Sequence, residues 1–290
     1  MKKRAIIYII LAGILWGTSA IFSFYLKNLG FSPLQMTAMR GTVSAVIMST
    51  YVFITNKSLF KVSLNDFFWF ACGGVTMFLS AFFYYESINV ASVSIAVMLM
   101  YTAPVLVTAF SVMFLGEKLT WLKVISIFCM LLGCAFITGL FGGVKFNLWG
   151  FVAGLLSGVS YSTYNIIAKI QMNKKCNPLS ASVYCYLFMA LIALCVANVP
   201  EIFSIASKNP TEAYPFMIGI GIFTVTLPYF LYTLALKYIP VGTAAALGII
   251  EPLMATIFGV CLGTDHLYIS SYCGIVLILI SVFLLSKNKE

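Results

Sequence analysis

In the stretch GIIEPLMATIFG, residues 248–259, a carboxylate and a proline stand side by side in an otherwise apolar run. Glu251 can carry charge, accept hydrogen bonds or exchange a proton. Pro252 has no N–H, so the carbonyl of Gly248, four residues earlier, loses its helical partner. A carboxylate beside a freed carbonyl can hold a cation, a proton or a substrate ammonium group. The pair can equally be architectural, with Glu251 bonding a neighbouring helix. Pro104, in APVLVTAFSVMFLGEKL, repeats the proline and frees the carbonyl of Met100, but Ala103 stands where the acid would be. Each proline is either a packing kink or a flexing point.

Arg40 is the arginine placed inside an apolar run, and Glu86 lies near the end of another. Both fall on the same side of the chain's topology, so they are expected to pair as a buried ion pair or gate element. A substrate carboxylate meeting Arg40 is the alternative. Polar and aromatic residues accompany them: Trp16, Ser19, Tyr84, Tyr101, Tyr161, Asn165 and Tyr232 are the expected lining of a cavity. Tyr161 and Asn165 are four apart and share a helix face. Aromatic walls with a few polar groups suit an amphipathic small molecule and can contact an amine cation. Catalysis is not expected. His266 is the single histidine, it sits in a loop, and no acidic pair is close in sequence. No metal site and no cofactor are expected.

Stepping outward from these residues, the chain of 290 residues is 62% hydrophobic and 9% charged. A soluble domain carries roughly 25% charged residues, so this is an all-α integral membrane protein. Apolar runs of about 20 residues, the length that spans a bilayer, number about ten: 5–27, 33–55, 66–88, 91–115, 120–140, 147–169, 178–198, 213–236, 241–262 and 268–286. Glu251 is then roughly 15 Å deep, at about 1.5 Å per residue, near the bilayer midplane. An ionised group there costs about 2.5–3.5 kcal/mol on insertion scales, so it faces protein or water. The opening MKKR with TSA at 18–20 faintly resembles a signal peptide, but the segment recurs later, which argues for a span. Seven of the eight cysteines lie in apolar runs without CxxC spacing and read as small apolar fillers; Cys176 is in a polar loop.

LAGILWGTS at 11–19 matches VAGLLSGVS at 152–160, and PVLVTAFSVMFLGEKL at 104–119 matches PLMATIFGVCLGTDHL at 252–267. An acid follows each proline thirteen residues on, as Glu117 and Asp265. Two copies of a five-span unit follow, 1–140 and 147–290. An odd span number inverts the second copy, giving an inverted 5+5 repeat. The glycines Gly13 and Gly17, and Gly154 and Gly158, form GxxxG pairs that permit close helix approach and are expected to pack within the monomer. With the N-terminus in the cytoplasm, Lys57, Lys61, Lys118, Lys123, Lys169, Lys174, Lys175 and Lys237 lie inside, while Lys27, Lys145 and Lys208 lie outside. Both termini are then cytoplasmic, and the net charge of +9 marks a face against anionic lipids, with no nucleic acid partner.

LAGILWGTS, APVLVTAFSVMFLGEKLT and ALKYIPVGTAAALGIIEPLMATIFG, in this order, resemble the drug/metabolite transporter superfamily, specifically its EamA-type members, across essentially the whole chain. TDHL at 264–267 departs from the Gly-Glu common there. The resemblance implies ten helices about a two-fold axis in the membrane plane, with a central cavity lined by spans one, three, four, six, eight and nine. It implies transport of amino acids, sugars, nucleotide sugars or other metabolites. The expectation is a secondary active transporter in the cell membrane, working by alternating access on a small polar or amphipathic substrate. Amino acids or related amines and export are favoured, and protons are the candidate coupling ion. A channel or substrate-binding membrane sensor of the same fold is the alternative. The oligomeric state is left open.

Overall fold

Caps and prolines punctuate the chain. Ser32 and Gln35 form a reciprocal capping box, and Asn147, Asn177 and Asn198 each accept a backbone N–H at a helix start. Proline follows several of these caps at the first helical turn, where its missing N–H costs nothing. The computed structural model describes residues 2–90, 96, 99–137, 147–262 and 269–287; Lys145, Asp265 and His266 lie outside the described residues. The helices are α1 Lys2–Gly17, α2 Ser19–Asn28, α3 Pro33–Thr55, α4 Leu64–Val90, α5 Ala103–Leu115, α6 Trp121–Ile137, α7 Leu148–Asn173, α8 Pro178–Val196, α9 Val199–Lys208, α10 Pro210–Gly221, α11 Leu227–Ala235, α12 Val241–Leu247, α13 Ile250–Cys261 and α14 Ile269–Lys287. Among the described residues there is no strand.

Among the described residues, six helical runs are long and apolar enough to cross a membrane: Lys2–Asn28, Pro33–Thr55, Leu64–Ser87, Pro178–Val196, Pro210–Ala235 and Val241–Cys261. Shorter apolar helices accompany them at Ala103–Leu115, Trp121–Phe136 and Tyr272–Ser281. The protein is an all-α, multi-pass membrane bundle. α7 has 26 residues and buries Ser157, Ser162, Asn165 and Gln171 in the interior. α9 falls in a stretch that reads as a polar connection in the sequence. It is short and two-faced: Ile202 and Ala206, four apart, are buried, while Glu201, Phe203 and Lys208 are exposed.

Glycines set the closest approaches. A Cβ on Gly13 would meet Ile250 at 3.0 Å, and one on Gly17 would meet Met254 at 2.5 Å. A Cβ on Gly154 would meet Leu99 at 2.6 Å, and one on Gly158 would meet the Leu99 carbonyl at 3.1 Å. Both GxxxG pairs therefore pack within the chain, Gly13 and Gly17 of α1 on α13, and Gly154 and Gly158 of α7 on the segment Leu99–Thr102 that leads into α5. α1 also packs on α11, α7 on α4, α3 on α8, and α6 on α14.

Four of the apolar runs are broken near their middles. α1 ends at Thr18, whose Oγ1 donates to the Leu15 carbonyl at 2.6 Å. Thr102 donates to the Leu99 carbonyl at the same 2.6 Å, just ahead of α5. A π-helical turn, Ile222–Thr226, separates α10 from α11, and Gly248–Ile249 separates α12 from α13. The Gly248 carbonyl does not stay free, as the Glu-Pro pair in the sequence suggests. It accepts the Glu251 N–H at 3.0 Å in a tightened turn, the usual rescue where a proline removes the i+4 donor.

Candidate functional site

Each helix break delivers a side chain to one central group. Trp16 stands just before the Thr18 break, Tyr101 at the second, Tyr229 and Tyr232 after the π turn, and Glu251 just after the fourth. The Tyr101 hydroxyl makes a hydrogen-bond contact with the Glu251 carboxylate, and Arg40 interacts with it through charge. Tyr84 and Tyr229 interact with both Arg40 and Glu251, and Tyr161 interacts with Glu251. Trp16 meets Tyr229 edge-on at 5.1 Å and Tyr232 at 5.6 Å, and Tyr164 meets Tyr229 edge-on at 5.4 Å. These edge-to-face rings form a stiff aromatic wall around a charged pair.

Four polar atoms of this group are buried without a partner: Trp16 Nε1, Arg40 Nε, Asn165 Oδ1 and Tyr232 Oη. An orphaned buried donor or acceptor costs about 1–3 kcal/mol, and most proteins avoid even one such cluster. Meanwhile Glu251, Arg40, Tyr84, Tyr161 and Tyr229 are half-buried. The arrangement can bind a ligand carrying both charges, an apolar body and hydrogen-bonding edges.

The structure gathers most of the residues that the sequence singles out. Pro104 and Pro252 each follow a break and are buried. Asn165 belongs to the group, but its Nδ2 donates to the Tyr161 carbonyl one turn back, at 2.7 Å. Ser19 opens α2 beyond the Thr18 break and is half-buried, with no hydrogen bond to the group. Arg40 and Glu86 do not pair. An ion pair does form elsewhere, between Lys123 and Glu117 at 3.5 Å. Both Arg40 and Glu86 lie on the expected spans, but the rotation of α3 turns Arg40 toward Glu251, a choice its nearly all-round apolar sequence does not signal.

Residues outside the sequence expectation also stand out. Glu117 accepts the N–H of Val241 at 2.8 Å and of Gly242 at 3.4 Å. Lys169 donates to the carbonyls of Leu236 and Ile239, each at 2.8 Å. The repeated acid after each proline is the sequence signal for Glu117; its partners are backbone groups, which a sequence does not advertise. A separate small cavity, lined by Tyr164, Gln171, Ser182, Cys185 and Thr233 among others, lies between α7, α8 and α11, with no charged side chain in its lining. Among the described residues, no three His, Cys, Asp or Glu side chains gather as metal ligands.

Comparison with known proteins bears on the whole chain. The pattern of the EamA-like transporter family matches residues 3–139 and again residues 148–287. A curated protein of Clostridium kluyveri, described as an uncharacterized transporter, is 27% identical over 99% of this chain and 95% of its own length. A solved crystal structure superposes with a TM-score of 0.83 at 20% identity, covering 98% of this chain and 96% of the other. At that identity the likeness speaks for the fold.

Proposed function

Because the chain belongs to the EamA-like transporter family, we propose that it is a secondary active transporter of small polar or amphipathic metabolites, amino acids or related amines above all. It works by alternating access and favours export. The observation that carries this reading is the opposition of Arg40 and Glu251 inside an aromatic wall with four orphaned polar atoms. A zwitterion entering between them exchanges their mutual attraction for two new ones, substrate carboxylate on Arg40 and substrate ammonium on Glu251. No buried charge is then left unpaired, which is the costly alternative. Trp16 and Tyr229 supply faces for the ammonium and for an apolar side chain. Glu251 is also the group that can trade a proton for a cationic ligand, and protons are the proposed coupling ion. The acids and tyrosines serve binding, and no reaction is assigned to them.

Ten spans in two inverted units, 1–140 and 147–290, with both termini in the cytoplasm, complete the proposal. Mirrored packing supports it: α1 lies on α13 and α11 as α7 lies on α5 and α4. The matched prolines Pro104 and Pro252, each just past a helix break, support it further.

Purified protein in liposomes loaded with an unlabelled amino acid should accumulate the labelled one by counterflow, and Arg40→Ala or Glu251→Gln should lower that uptake at least about tenfold. Binding without exchange points instead to a sensor. Flux that does not respond to substrate on the far side points to a channel.

A further inference from the structure

The half-buried chamber residues contrast with what lies toward the end of the bundle read as cytoplasmic. There Leu236, Ile239 and every residue from Val241 to Leu247 are buried, and Lys123 is fully buried. The closure is made by polar contacts on one short connection, Leu236 to Gly242, between α11 and α12. Lys169 on α7 pins its carbonyls at Leu236 and Ile239, at 2.8 Å each. Glu117 grips its N–H groups at Val241 and Gly242. Lys123 stands behind that carboxylate and also donates to the Lys118 carbonyl at 3.3 Å.

Local sequence explains the grip. Gly116 ends α5 in the left-handed region, at φ 66, a conformation that costs glycine little. The turn sends the Glu117 N–H back to the Ser111 carbonyl at 3.2 Å and its side chain across to the connection. On the other side, Gly242 leaves the space: a Cβ there would lie 3.0 Å from Thr108 Oγ1, 3.3 Å from Lys123 Cε and 3.5 Å from Glu117 Oε2. Glu117 belongs to the first family unit, and Val241 and Gly242 to the second. The carboxylate therefore ties the two units together at this end. Lys169 and the connection it pins are both in the second unit, so Lys169 prepares the connection that Glu117 receives.

Tyr232 joins this tie to the chamber. Its ring contacts Trp16, its hydroxyl is buried without a hydrogen bond, and it interacts electrostatically with both Glu117 and Tyr161.

We infer that Glu117, backed by Lys123 and received by the Lys169-pinned connection, is a latch that closes the chamber from the cytoplasm, and that inward opening proceeds by its release. The inference rests on the alternating-access reading above. On release, the N–H groups of Val241 and Gly242 and the carboxylate pass into a wet path, where water replaces the lost bonds and keeps the cost modest. A permanent structural tie would have no such outlet.

The test reads accessibility without substrate. Val241 carries one of the gripped N–H groups and is fully buried, so Val241→Cys reports whether release opens the connection to water. In inside-out vesicles a membrane-impermeant maleimide should label it slowly, against the parent protein as the control for native cysteines. Adding Glu117→Ala, or Lys169→Met, should raise the labelling rate at least about tenfold by shifting the open population. Should Glu117→Ala fail to fold, the pair Glu117→Met with Lys123→Met removes the acceptor without stranding a buried charge, and it should give the same rise. An unchanged labelling rate in folded protein that still performs counterflow overturns the latch and leaves the carrier reading standing. Faster labelling without any counterflow keeps the latch and removes the carrier.

Discussion

Arg40 and Glu251 interact through charge inside the bundle without a direct ion-pair contact, and each makes the other more tolerable. Removing one strands the other in a site where the remaining partners are neutral hydroxyls. Arg40→Ala and Glu251→Gln should each lower the melting temperature in detergent. The double variant should be less damaged than the sum, by about 1–2 kcal/mol of coupling. Additive losses would mean that the two charges do not sense each other, and would remove the zwitterion argument with them. For transport, Glu251→Gln keeps shape and hydrogen bonding but cannot titrate, so it should insert normally yet lose the pH dependence of uptake. Glu251→Asp, one methylene shorter, should keep part of it. A Gln variant with the wild-type rate and pH profile would make the carboxylate structural. The Glu-Pro pair was legible from residue type alone, because a charge in an apolar run must be either paired or used. Its partner was not: pairing depends on how α3 is rotated, and α3 buries residues on every side of its first turns, from Gln35 to Met39.

Elements do the positioning, and here it is their interruptions that matter. Four apolar runs break near their middles, and each break turns an aromatic or acidic side chain inward. Two of these breaks were foreshadowed by Pro104 and Pro252. The Thr18 break has no proline beside it, whereas Pro228, two residues past the π turn at Ile222–Thr226, stands as Pro104 does after Thr102; hydrophobic periodicity runs through both breaks unmarked. Pro252→Ala would restore an N–H in reach of the Gly248 carbonyl, competing with the Glu251 N–H now bonded to it at 3.0 Å. The turn should relax toward regular helix. Substrate affinity should change little while turnover falls several-fold in the counterflow assay; an unaltered turnover would make the break a static kink. Glycine contacts set a stricter limit. Gly17→Val and Gly158→Val each place a side chain where a Cβ already meets atoms at 2.5 and 3.1 Å. The neighbour at Gly158 is backbone carbonyl and cannot rotate away. Overpacking of this kind costs about 1–3 kcal/mol or more, so both variants should melt earlier than wild type, which thermal unfolding in detergent measures.

At the scale of the whole molecule, membrane class and repeat were legible because both are written in local composition: apolar length, matched blocks, and matched prolines. α9 was not, since a ten-residue helix is too short to register as a span and its polar face resembles a loop. Which loops meet was also beyond the sequence. Leu59 and Phe60 accept bonds from Ser180 and Tyr184, at 2.8 and 2.7 Å, and Cys176 Sγ lies 3.4 Å from Asp66 Oδ1. The connections before α4 and before α8 therefore share one end of the bundle, and Lys57, Lys61, Lys174 and Lys175 on them are what assign that end to the cytoplasm in the proposed topology. Cys176 tests that side directly, and its chemistry sets the conditions. Partial burial, then the Asp66 hydrogen bond and charge, push its thiol up to about 11. A raised value means less thiolate at any pH below it, roughly a hundredfold less than for a thiol near 9, and the thiolate is the reacting form. Maleimide labelling should therefore be slow at pH 7 and rise steeply toward pH 9. Asp66→Asn, which removes the nearby negative charge, should speed it at fixed pH. The rise should be seen in inside-out vesicles and be absent in intact cells. Labelling of this cysteine from outside would reverse the orientation, placing the Glu117 connection on the external face and turning the proposed latch into an outer gate.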